Sequence, residues 1–181
     1  MRRPFAKIVM MTVALIVAAA VPGCSSTHSS KPPAPTLSNQ DAGWLCGVLS
    51  YQGTNPDYLP RVIRPVPESK VQVSYEYQVS YNVEAETGWD LVNPFILVGV
   101  PKSKDNVGVS GRVHISLDGS DFAKTYDDGV VLDKQKFLFS EGETLTDMRR
   151  SALIQLRDSM DRKLLSDRSV LSDVGISCGS E

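Results

Sequence analysis

"KVQVSYEYQVSYNVE", residues 70–84, alternates without a break: Val71, Val73, Tyr75, Tyr77, Val79, Tyr81 and Val83 against Gln72, Ser74, Glu76, Gln78, Ser80 and Asn82. Successive side chains of an extended chain point to opposite faces. Period-two alternation of β-branched and aromatic residues therefore predicts a long strand with one buried face and one wet face.

Downstream, "VGVSGRVHISLDG" (107–119) repeats the pattern through Val107, Val109, Val113, Ile115 and Leu117. Asp118-Gly119 reads as a hairpin turn, with the chain returning from Phe122 to Tyr126. Asp127-Asp128-Gly129 reads as a second turn leading into Val130-Val131-Leu132, and Phe137-Leu138-Phe139 adds a further short strand. The period then changes. Leu145, Met148, Ala152, Leu153, Leu156, Met160 and Leu164 mark one face of a helix, with Thr144 and Asp147 spaced as a capping box. Arg157–Asp161 and Asp158–Arg162 are expected as i,i+4 pairs on its solvent side.

Upstream, "WLCGVLSY" (44–51) reads as a short buried strand and the proline-rich "NPDYLPRVIRPVPES" (55–69) as an extended surface connection. The expected class is α+β: a mainly antiparallel β-sheet meander with one long C-terminal amphipathic helix packed on one face.

One stretch admits two readings. In "GWDLVNPFILVGVPKSK" (88–104) the chain is apolar from Leu91 to Pro101 apart from Asn93, and Pro94 interrupts any regular ladder near its start. Residues 95–100 are either a buried strand or an apolar loop at a membrane or partner, with Trp89, Phe95, Ile96, Leu97 and Val98 as its contacts.

The amino terminus reads as an export signal. Arg2, Arg3 and Lys7 precede an apolar run from Ile8 to Val21 that ends in small residues. The run is too short to span a bilayer, which needs roughly 20 apolar residues. Val21-Pro22-Gly23-Cys24 resembles the lipobox of bacterial lipoproteins: an aliphatic residue three places before the cysteine and a small one directly before it. The resemblance implies cleavage after Gly23 and acylation of Cys24. Ser25 stands where an aspartate would signal inner-membrane retention, which implies the outer membrane with the domain facing the periplasm, the cell surface being the alternative. Residues 1–23 are then a signal peptide and 24–40 a Ser/Pro-rich flexible tether, with 41–181 as a single domain.

The full chain carries 19 basic and 21 acidic residues, and loss of the signal leaves 16 basic residues and a net charge of −5. No basic cluster exists to neutralise phosphates, so nucleic acid is not an expected partner. The expected partners are the membrane, through lipid on Cys24, and an envelope protein complex. With Cys24 acylated, Cys46 and Cys178 are left to form a disulfide in an oxidising compartment.

Enzymatic constellations are not apparent. His28 falls in the tether and His114 on the polar side of its strand. No Cys/His spacing suits zinc, and no P-loop, dinucleotide fingerprint or nucleophile elbow occurs. Asp118, Asp121, Asp127, Asp128 and Asp133 cluster, but without the order of a calcium loop. The expectation is a non-enzymatic, lipid-anchored envelope module without cofactor or metal that binds partners or assists assembly or transport. The alternative is a carrier of an apolar ligand such as a lipid.

Overall fold

The computed structural model describes residues 27–29, 37–38, 41–83, 103–136 and 143–178. In chain order the elements are β1 (Thr27–Ser29), β2 (Leu45–Tyr51), a 3-10 turn (Pro56–Tyr58), β3 (Ile63–Pro65), β4 (Val71–Val83), β5 (Ser103–Leu117), β6 (Ala123–Lys136), α1 (Leu145–Ser166) and α2 (Arg168–Asp173). The strands form one sheet in the order β1-β6-β5-β4-β2-β3.

The alternating stretch is β4. It pairs antiparallel with β5 from Val71↔Leu117 to Val83↔Asp105, and β5 with β6 from Ser103↔Lys136 to Ser116↔Ala123, with no residue skipped. An unbroken register preserves the pleat, so a side chain's parity on one strand fixes its face across all three. Val73, Tyr75, Val107, Val109, Val113, Ile115, Val130 and Leu132 are accordingly buried on one face.

Three expectations are corrected. The α+β class holds and β1, β6, β5 and β4 pair antiparallel, but the sheet is mixed and not a meander throughout, because β2 runs parallel to both β3 and β4. The proline-rich connection is the reason: it returns the chain far enough to start β3 and β4 in the direction of β2, as a parallel pairing requires. It also contributes core, with Val62 and Ile63 buried. Second, Asp127-Asp128-Gly129 is not a turn but lies inside β6. Asp127 is held by Arg112 directly opposite, Asp128 points to the helix, and Gly129 does not take the positive φ that a turn would use. The Asp118-Gly119 hairpin does form: Ser120 N–H donates to the Leu117 carbonyl (3.1 Å), and Gly119 has φ 78°. Third, Asp161 is not on the solvent side of α1 but is 1% exposed. The short strand at 137–139 falls outside the described residues.

Helix α1 packs on β5 and β6 and touches the 3-10 turn. It starts with a complete capping box between Thr144 and Asp147. Met148, Ala152, Leu153, Leu156, Met160 and Leu164 are fully buried along one side. Leu156 sits directly over Gly111, where an added Cβ would lie 2.9 Å from its Cδ2. Leu171 of α2 and Ile176 beyond it are buried and close the core, and Cys178 N–H donates to the Trp44 carbonyl (2.8 Å). Cys46 and Cys178 are disulfide-bonded, their Cα atoms 5.1 Å apart.

Candidate functional site

The helix covers one face of the sheet, and among the described residues no element packs on the other. At the centre of the open face Arg112 stands opposite Glu76 on β4 and opposite Asp127 on β6. Its Nε donates to Asp127 Oδ1 at 2.6 Å, and this bond, ahead of the carboxylate's field, raises the Arg112 pKa above its ordinary value. A shallow depression of about 310 Å³ opens here, and five of its lining side chains belong to this face: Glu76, Gln78, Ser110, Arg112 and Asp127. A carboxylate–guanidinium–carboxylate row between small and polar neighbours suits recognition of a polar, charged surface.

Ser110 and His114, on the same face of β5, do not come together. Ser110 is four residues along the strand from His114, about 13 Å by strand geometry and beyond proton-transfer reach. His114 Nδ1 lies 3.0 Å from Thr125 Oγ1, its directly opposite neighbour. The clustered aspartates are used separately. Asp118 accepts from Gln72 Nε2 (3.0 Å), Asp133 pairs with Lys104 (3.4 Å), and Asp128 accepts from Ser159 Oγ and from Gly129 N–H. Among the described residues no three His, Cys, Asp or Glu side chains group to hold a metal.

Polar groups also pin the helix to the sheet, and these escaped the sequence reading. Asp161 accepts from Val62 N–H (3.2 Å) and from Arg61 Nε (3.1 Å), a hundred residues away. Burial raises the Asp161 pKa, opposed by the Val62 bond and by Arg61. The one local signal was its place beside Met160, at the margin of the apolar stripe. Lys124 pairs with Asp167 (2.7 Å) at the far end of the helix. Between β2, β4 and the 3-10 turn, Tyr51 stacks on Tyr75 at 5.7 Å, and Tyr58 meets Tyr77 edge-on at 6.4 Å. Burial, then Tyr77, pushes the Tyr51 phenol up to about 12.

The β3 edge of the sheet offers little to an added strand. β3 is three residues long and carries exposed Arg64 and Pro65, which has no N–H to donate. On β6, the Asp127 carbonyl accepts from Lys163 Nζ and Gly129 N–H donates to Asp128 Oδ1 (2.8 Å), so side chains occupy two backbone groups there.

Of the residues singled out in the sequence, Cys46 and Cys178 are brought together, while Cys24, Trp89, Phe95, Ile96, Leu97 and Val98 lie outside the described residues. The backbone of His28 lies in β1 and pairs with Asp133 of β6. Among the described residues no helix is long and apolar enough to cross a membrane. No protein-family model matches the chain, and no curated protein matches it.

Proposed function

We propose that the protein is a lipid-anchored envelope lipoprotein, held at the outer membrane through Cys24, that acts without catalysis as a binding or assembly module. The observation that carries this reading is the uncovered polar face of the sheet, with Glu76, Arg112 and Asp127 in one row across three strands. A domain that covers only one face of its sheet leaves a rigid, flat platform, and a guanidinium between two carboxylates gives that platform charge specificity. The apolar stretch with Trp89, Phe95, Ile96, Leu97 and Val98 is proposed as a second contact, to membrane or partner.

The carrier reading has less support. A lipid pocket between helix and sheet needs separation between them, and Leu156 instead rests on Gly111 while Ser159 bonds Asp128 beside it. The test is a photocrosslinking residue in place of Ser110 on the open face, compared with one in place of exposed Val170 on α2, in the full-length protein in its own envelope. A discrete adduct at 110, lost on Arg112→Glu and absent at 170, is the expected result. Equal labelling at both positions, or none at 110, would overturn the platform reading.

A further inference from the structure

The register of the sheet places one end of it close to the anchor. Thr27 pairs with Lys134, Lys134 with Asp105, and Asp105 with Val83, so one row crosses β1, β6, β5 and β4. Because β1 runs antiparallel to β6, the chain before Thr27 leaves the sheet at this same end. Two residues stand between Cys24 and Thr27, and three chain steps of at most about 3.6 Å each make a leash no longer than about 11 Å. Strand spacing of about 4.8 Å puts Val83 only some 15 Å from Thr27 across the row.

The apolar face loses its cover at the β4 side of this end, while Asp105 and Lys134 in the same row are buried. Val107 and Leu132 in the neighbouring row are buried, yet Tyr81, in line with them, is 49% exposed and Val83 46%. They are two of the four large apolar side chains exposed among the described residues. At the opposite end the hairpin from Asp118 to Asp121 is exposed and carries two carboxylates. Thirteen residues of strand, about 45 Å, separate it from the row.

We infer that the Thr27–Val83 end of the sheet seats on the phospholipid surface that holds the anchor, with Tyr81 and Val83 as its contact residues. This rests on acylation of Cys24. A tyrosine ring suits the headgroup boundary, with its apolar body inward and its hydroxyl in water, and valine adds apolar area beside it. The short leash holds this end down, while an anionic lipid surface repels the acidic hairpin. The strands then run away from the membrane, and the Arg112 row is open to a partner alongside.

The test uses the full-length acylated protein in phosphatidylethanolamine–phosphatidylglycerol vesicles. Cys46 and Cys178 are bonded and Cys24 is acylated, so Val83→Cys, Tyr81→Cys and Ser120→Cys each add a single thiol for a nitroxide label. Collision rates with oxygen, which partitions into lipid, and with a nickel chelate, which stays in water, report depth. The oxygen-to-nickel ratio should be several-fold higher at 81 and 83 than at 120. Equal, aqueous ratios at all three positions, in protein whose mass shows acylation, would overturn the seat and leave the anchor standing. A mass without acylation would overturn the anchor and the seat together.

Discussion

Replacing Asp161 with alanine should cost far more than the loss of an ordinary helix-surface charge. The carboxylate is 1% exposed and is the acceptor for the N–H of fully buried Val62. Without it that N–H is stranded, at about 1–3 kcal/mol. Arg61 loses less, because its Nη2 keeps Asp158 at 2.9 Å and its side chain is 38% exposed; about 1 kcal/mol is a ceiling for that pair. A total of about 1–4 kcal/mol is a large part of the roughly 5–15 kcal/mol that stabilises a domain. At about 4 °C per kcal/mol the melting midpoint should fall by about 4–16 °C. Asp161→Asn keeps an acceptor and should lose clearly less. The pH dependence has a definite sign. Burial raises the folded-state pKa of Asp161, so its contribution is complete below the unfolded value of about 3.9 and declines as pH rises through the folded value. The penalty of Asp161→Asn should therefore be larger near pH 3.5 than at pH 7. Calorimetry of both variants at both pH values checks this. A midpoint for Asp161→Ala within 2–3 °C of wild type would refute the pinning role.

Gly111→Val should destabilise by about 1–3 kcal/mol, since the new side chain meets Leu156 in a filled interface; denaturant titration measures it. Opening the Cys46–Cys178 bridge, which spans 132 residues, should cost about 2–5 kcal/mol, seen as a lower midpoint after reduction. Tyr51 should ionise at about 12, two pH units after an ordinary phenol; Tyr51→Phe should remove one late step from the ultraviolet titration. Because its folded pKa is raised, stability should be complete below pH 10 and fall between pH 10 and 12. Arg112→Ala should leave the melting curve unchanged while abolishing crosslinks from position 110, as expected of an exposed recognition residue.

The central strands and the main helix were legible because their signals are local. Strict alternation marked β4, and it held because the pairing with β5 skips no residue. The capping box and apolar stripe marked α1 because both repeat within a few turns. What was hidden depends on distant partners. Asp127-Asp128-Gly129 has turn composition, yet Arg112 and Ser159 on other elements hold it extended. Asp161 looked like half of a surface pair, and only the backbone of Val62 reveals it as a buried acceptor. The direction of β2 depends on how far the proline-rich connection travels, which composition does not encode. The Arg112 row was not anticipated either, because Glu76, Arg112 and Asp127 come together only through register.

The proposed anchor at Cys24 underlies both the proposed function and the inferred orientation of the domain, and the intact mass of the exported protein tests it most directly. A mature chain beginning at Cys24, heavier than its polypeptide by a diacylglyceryl group and an amide-linked fatty acid, is the expected result, with Cys24→Ala carrying neither. A chain cut elsewhere, or one beginning at Cys24 with a free thiol, would contradict it.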